Sequence, residues 1–207
     1  MSHKKGSWVH LFLLLIVILV LIWSLIKPVE GYGVLLMEIS PSVLVLLFLI
    51  ARYNHFRFTT VSYVIIALLV ILTFIGGHYS YAKVPLFTWI KDYFDLKRND
   101  YDRFGHFLKG LMVIVIIELL VRKTALLKSK TTNFIAVCIV LAIGALYEII
   151  EWLSTKLGHE GKSTKDFLGM QGDIWDSQKD MALLLVGSIL SLFFIKILYK
   201  GLDKSRQ

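Results

Sequence analysis

Asn99-Asp-Tyr-Asp-Arg-Phe-Gly-His-Phe-Leu-Lys-Gly-Leu-Met-Val-Ile-Val-Ile-Ile-Glu-Leu-Leu-Val121 is a polar run that passes directly into an aliphatic one. The apolar part is too continuous for one face of a soluble helix, and it fits a membrane span. Asp102 and His106 stand four apart at its mouth, so a helix puts them on one face. An acid and a histidine at the mouth of a membrane helix are costly to place and call for a partner or a purpose.

The rest of the chain repeats this pattern. Of 207 residues 57% are hydrophobic and 18% charged, with a mean hydropathy of +0.70. The apolar excess falls in blocks of about 20 residues, the length that crosses a bilayer. The sequence predicts an all-α polytopic membrane protein: a single bundle over 1–207 with helices at about 8–26, 34–50, 59–75, 102–121, 131–152 and 173–199. Glu38 and Pro41 interrupt the second, and Gly76-Gly77 ends the third. The first apolar run is longer than a cleaved signal's core and lacks a small-residue cleavage site, so it reads as a retained span. Residues 85–94 mix aromatics and charges at helical spacing, which suits a short helix lying in the membrane interface. Trp152 and Trp175 read as part of the interfacial aromatic belt.

The net charge of +8 comes from short loops rich in Lys and Arg, so the charge points to membrane orientation and away from nucleic acid. Arg52 and Arg57, Arg122 to Lys130 and the basic tail lie on one side, with Asp203 as their only acid. The opposite loops are longer and hold most of the acids. Both termini are therefore expected in the cytoplasm. Cys138, the single cysteine, reads as a buried bystander.

The functional signal is a convergence. His78 closes the third span, while Asp102 and His106 open the fourth. Glu148 and Glu151 end the fifth, and Asp173, Asp176 and Asp180 line the start of the sixth. Glu38 lies a turn inside the second. All fall at the outer membrane level. Caps explain an acid at a helix start, so Asp102, Asp173 and Asp176 each have that bland account. Caps do not explain Asp180, nor two glutamates at a C-terminus where the helix dipole opposes them. Glu118 reads as an ordinary ion pair with Arg122, and His159 and Glu160 as solvated. Clustered carboxylates repel unless a cation or a shared proton intervenes. Histidine with carboxylates suits a divalent metal such as Zn, Mn or Mg. The expected ligands are His78, Asp102, His106, Glu148, Glu151, Asp173, Asp176 and Asp180. His106 or Glu148 is the expected general base toward a cation-activated water. Arg103 and Lys109 would hold a substrate phosphate.

Four segments carry a resemblance: Gly77-His-Tyr79, Arg98 to Phe107, Tyr147-Glu-Ile-Ile-Glu-Trp152 and Gly172 to Met181. Together they resemble the uncharacterised bacterial inner-membrane family typified by YjdF, which implies a small multi-spanning protein with no assigned activity. A more distant similarity is to VanZ-like membrane proteins, whose pattern is Asp-x-x-x-His-Phe, a Glu near the next helix end, then Asp-x-x-x-Asn. Here Asp180 stands in place of that Asn, and Trp152 lies where a Gln-like partner would be sought. Three function classes fit these residues. One is a metal-dependent enzyme acting on a lipid or lipid-linked phosphate at the outer leaflet. The others are a proton- or cation-coupled transporter and a non-catalytic scaffold. The acids crowd one membrane face and no internal repeat is present, which favours the first over a transport pathway.

Overall fold

The computed structural model describes residues 2–124, 126, 128–157 and 171–195, with side chains from Trp8 onward and not for 154–157. Its elements in order are α1 (Ser2–Ser24), α2 (Tyr32–Arg52), α3 (Thr60–His78), α4 (Pro85–Tyr93), α5 (Tyr101–Lys109), α6 (Met112–Lys123), α7 (Lys130–Leu157) and α8 (Asp176–Ser191), closed by a 3₁₀ turn at Leu192–Phe194. No strand occurs among the described residues. Among the described residues, five stretches are long and apolar enough to cross a membrane: α2, α3, Tyr101–Lys123, Lys130–Leu153 and Asp176–Phe194. Trp8–Ser24 within α1 is a shorter apolar helix. The chain is a polytopic all-α membrane protein. His159, Glu160 and the expected end of the last helix near Tyr199 lie outside the described residues.

α2 runs unbroken through Pro41, where an interruption was expected. Proline lacks the N–H that would bond to the carbonyl four residues back. Ser40 supplies the missing donor, its Oγ donating to the Met37 carbonyl at 3.2 Å. In a bilayer such a carbonyl has to be satisfied inside the protein. α3 also continues past its expected end, through Gly76-Gly77 to His78. Ile39 and the Tyr81 ring lie so close to these glycines that a Cβ would fall 2.6 to 2.7 Å from them.

The core lies between α1, α2, α3 and α6, with Leu35, Ile39, Phe74, Val113 and Ile117 fully enclosed. α5 packs on α8, α6 on α7, and α7 on α8. Cys138, expected inside, is exposed. Most of α7 faces outward and only one stripe meets α6 and α8.

Two contacts hold the bundle at specific places. At one end, Glu118 is 0% exposed yet fully partnered. It accepts from Thr59 N and Oγ1 at 2.7 Å each, Ser62 Oγ at 2.5 Å and Arg122 Nη1 at 2.6 Å. The expected ion pair with Arg122 is therefore one part of a network that ties the start of α3 to α6. The second contact lets α5 and α8 cross backbone to backbone. A Cβ on Gly187 would sit 1.9 Å from the Phe107 carbonyl oxygen, and one on Gly110 would sit 2.3 Å from the Gly187 carbonyl carbon. Small residues at a helix crossing permit this approach.

Glu118→Ala leaves the buried Ser62 hydroxyl and the half-buried Thr59 N–H without their acceptor, so a loss of about 1–3 kcal/mol is expected in thermal or denaturant unfolding of the detergent-solubilised protein. Gly187→Ala should cost about 1–3 kcal/mol or more by overpacking against a backbone that cannot yield. Gly33→Ala, with nothing within 4 Å, should be neutral or slightly stabilising in the same measurement.

Candidate functional site

The α5–α8 crossing brings two polar faces together. Asp102 and His106 are one turn apart on α5, and Asp176 and Asp180 one turn apart on α8. α7 contributes Tyr147, Glu148 and Glu151 from its end, and α2 contributes Glu38. The carboxylates divide into two groups according to what neutralises them.

The first group is paired. Asp176 forms ion pairs with Arg98, and with Arg103 Nη2 at 3.4 Å. Arg103 also reaches Asp100 at 3.1 Å and Asp173 at 2.5 Å. Asp173 is held by Lys179 at 2.5 Å as well, and its carboxylate accepts from Trp175 N at 3.0 Å in a turn that starts α8. The bonds from Lys179, Trp175 N–H and Arg103 hold the Asp173 carboxyl well below the usual carboxylate range. Arg103, expected to meet a substrate phosphate, is thus engaged by three acids of its own chain. Asp173, expected as a metal ligand, is neutralised by a lysine and an arginine. Arg98 carries the same chemistry and was missed in the sequence, where it reads as one more loop cation.

The second group has far less compensation. His106 is 1% exposed, with Nε2 at 3.7 Å from Asp102 Oδ1 and 3.3 Å from Glu148 Oε1. Asp180 is also 1% exposed. Asp102, His106 and Asp180 each offer one ligand atom within 4.8 Å of the others, all three residues buried. His106 Nδ1, Glu148 Oε1, Asp180 Oδ1 and Glu38 Oε2 are buried atoms with no hydrogen-bond partner in the structure. Lys109 is the cation among them. Its Nζ stands 3.1 Å from His106 Nε2 and 4.7 Å from the centre of the Tyr147 ring. An ammonium only donates, so Nε2 meets it with a lone pair and the imidazole proton belongs on Nδ1.

The remaining expected residues fall as follows. Asp102 makes no capping bond, and Asp100 holds the N-cap position of α5. Glu151 lines a cavity with Glu38, Asp102, Tyr81 and Tyr147. Burial raises the Tyr81 hydroxyl well above its ordinary pKa, so it stays a donor. His78 is elsewhere. Its Nδ1 lies 3.0 Å from the Ser24 carbonyl and its ring packs 4.4 Å from Trp23, which pins the end of α1 to α3. A histidine after two glycines gives no hint of that carbonyl partner from sequence.

Asn99 is a second residue that sequence reasoning passed over. Its Nδ2 donates to Val84 O and Thr88 Oγ1, both at 3.0 Å, and its Oδ1 accepts from Tyr101 N at 3.2 Å. Gln171 brackets its backbone, accepting from Asn99 N at 2.9 Å and donating to Asn99 O at 2.8 Å. Asn99 thereby fixes α4 and the lead-in to α8 against the start of α5. Tyr147 had a legible signal, since it precedes Glu148 and lies four residues before Glu151 on the same face.

Comparison with known proteins agrees with this architecture. Residues 9–201 match the family described as "Predicted membrane protein (DUF2238)". The inner membrane protein YjdF of Escherichia coli (strain K12) is 39% identical over 161 residues, covering 77% of this chain and 76% of that protein. No solved structure matches. All the site residues named above lie within the matched span. The chain is a multi-pass inner-membrane protein and belongs to the DUF2238 membrane protein family.

Proposed function

We propose that Asp102, His106 and Asp180 form a divalent-cation centre, with Glu148 beside it, in an enzyme acting on a lipid or lipid-linked phosphate. The observation that carries this is the buried triad itself, three ligand atoms within 4.8 Å contributed by two helices. Carboxylates this close repel, and among the described residues Lys109 is the one ammonium hydrogen-bonded within the triad. Neutral imidazole with carboxylates is a donor set for Zn²⁺ or Mn²⁺, and carboxylates with water suit Mg²⁺.

In this reading the two expected catalytic residues take different roles. His106, with Nε2 3.7 Å from Asp102 Oδ1, would serve as a ligand. Glu148 Oε1 is 3.3 Å from that nitrogen and otherwise unpartnered, so it is the better general base. The chemistry a bound ion supplies is activation of water, and Glu148 would take the proton. Lys109 occupies the His106 lone pair in this structure. An ion at the triad would displace it, freeing its ammonium for a phosphate oxygen. With both termini in the cytoplasm, as the basic short loops favour, the centre faces the outer leaflet. The arginine-paired acids Asp173 and Asp176 serve the scaffold role, locking α5 to α8.

Metal analysis and calorimetric titration of the purified protein with Zn²⁺, Mn²⁺ and Mg²⁺ test this, and about one ion per chain is expected. His106→Ala and Asp180→Asn should each weaken binding by about tenfold or more. Asp173→Asn should leave it unchanged. Lys109→Met should tighten binding, because the competing ammonium is gone. Absence of binding, or equal binding by the His106 and Asp180 variants, sinks the proposal.

A further inference from the structure

Beside the triad a cavity of ≈400 Å³ opens between α2 and α7. Its walls include Met37, Glu38, Tyr81, Asp102, Tyr147 and Glu151. Both flanking helices turn large side chains outward here, Leu36 and Met37 on α2 and Leu146 and Ile149 on α7. The mouth is therefore rimmed by exposed apolar side chains. A second cavity of ≈480 Å³ shares Glu38, Pro41, Tyr81 and Tyr147 with the first. It continues along α6, between Lys109 and Lys123, for about 20 Å at 1.5 Å per residue. Val45, Phe48, Leu69, Met112, Ile116 and Leu119 make its walls apolar. The two form one cleft with a carboxylate-rich head and an apolar limb.

We infer that this cleft binds a membrane amphiphile with a primary ammonium headgroup, its ammonium among Glu38, Glu151 and Tyr147 and one hydrocarbon chain in the apolar limb. The inference goes beyond the cation centre and requires no metal ion. Glu38 is the first support: it is 5% exposed, lines both cavities, and its Oε2 has no partner. A buried carboxylate with an unmatched oxygen is costly, and a cation against its cavity side offsets part of that cost. Charge supplies the second support. The head of the cleft presents Glu38, Asp102 and Glu151, so without a bound ion it attracts a cation. The protein's own lysine supplies the third. Lys109 already places an ammonium against the Tyr147 ring at 4.7 Å, which shows the chemistry this corner accepts. An ammonium offers three N–H donors, and a quaternary headgroup offers none.

The test uses the full-length protein, delipidated in detergent with EDTA present. Chain-matched phosphatidylethanolamine, phosphatidylcholine and phosphatidylglycerol are compared by native mass spectrometry or displacement of a fluorescent lipid. Phosphatidylethanolamine should bind about tenfold more tightly than either of the others, the scale of one charge-assisted hydrogen bond. The isosteric pair Glu38→Gln with Glu151→Gln should erase that preference while chain binding persists. Leu69→Trp, which fills the limb, should weaken all three lipids together, with gel filtration confirming a monodisperse protein. Equal binding of phosphatidylcholine or phosphatidylglycerol by the wild type overturns the inference. So does a preference that survives in the double glutamine variant. Because EDTA is present throughout, failure of the cation centre leaves the expected preference intact.

Discussion

The approach of α5 to α8 is the constraint from which the polar end of this bundle follows. Phe107 and Gly187 come within a distance that no side chain larger than hydrogen allows. Gly110 meets the same crossing from the other helix, at the point where α5 gives way to α6. With the backbones this close, Asp102 and His106 face Asp180 directly, with no layer of side chains between them. A wider crossing of ordinary residues, with axes about 8–10 Å apart, would separate these groups and leave each to find its own partner.

That proximity carries an electrostatic cost, which the protein meets in two ways. Near the loops, Arg98, Arg103 and Lys179 neutralise Asp100, Asp173 and Asp176, and this ion-pair web also sets the start of α8. Deeper in, Lys109 and His106 face Asp102, Glu148 and Asp180, and Glu38 and Glu151 lie across the adjoining cavity. Glu118 at the opposite end shows what a purely structural buried acid looks like in this fold, accepting four hydrogen bonds, one of them from an arginine. Glu38 and Asp180 are buried without that satisfaction. The contrast separates Glu118, whose bonding is met within the fold, from Asp180, whose Oδ1 is not met and which the proposed cation centre uses.

Much of this was legible in the chain. Long aliphatic blocks fix membrane spans because only helices satisfy backbone groups within lipid, and five such spans are present. Asp102 with His106, and Asp176 with Asp180, share faces by spacing alone. What sequence could not supply was the third dimension. Arg103 and Lys109 are equivalent cations on paper, yet one points into three carboxylates and the other onto His106. His78 carries a ligand's residue type but finds a backbone carbonyl at the end of α1. Pro41 and Gly76-Gly77 carry helix-breaking propensity, which Ser40 and the packing of Tyr81 and Ile39 override. Cys138 shows the limit of hydrophobicity as a guide in a membrane protein, where apolar residues face lipid as readily as core.

Identifying the atom that would touch a bound ion tests the proposed cation centre most directly. Electron spin-echo spectroscopy of the Mn²⁺-loaded protein reports a directly bound imidazole nitrogen through its modulation of the echo. The account predicts modulation from a single histidine nitrogen, present in the wild type and in His78→Gln, and lost in His106→Gln. A spectrum without nitrogen modulation, or one unchanged by His106→Gln, would contradict it.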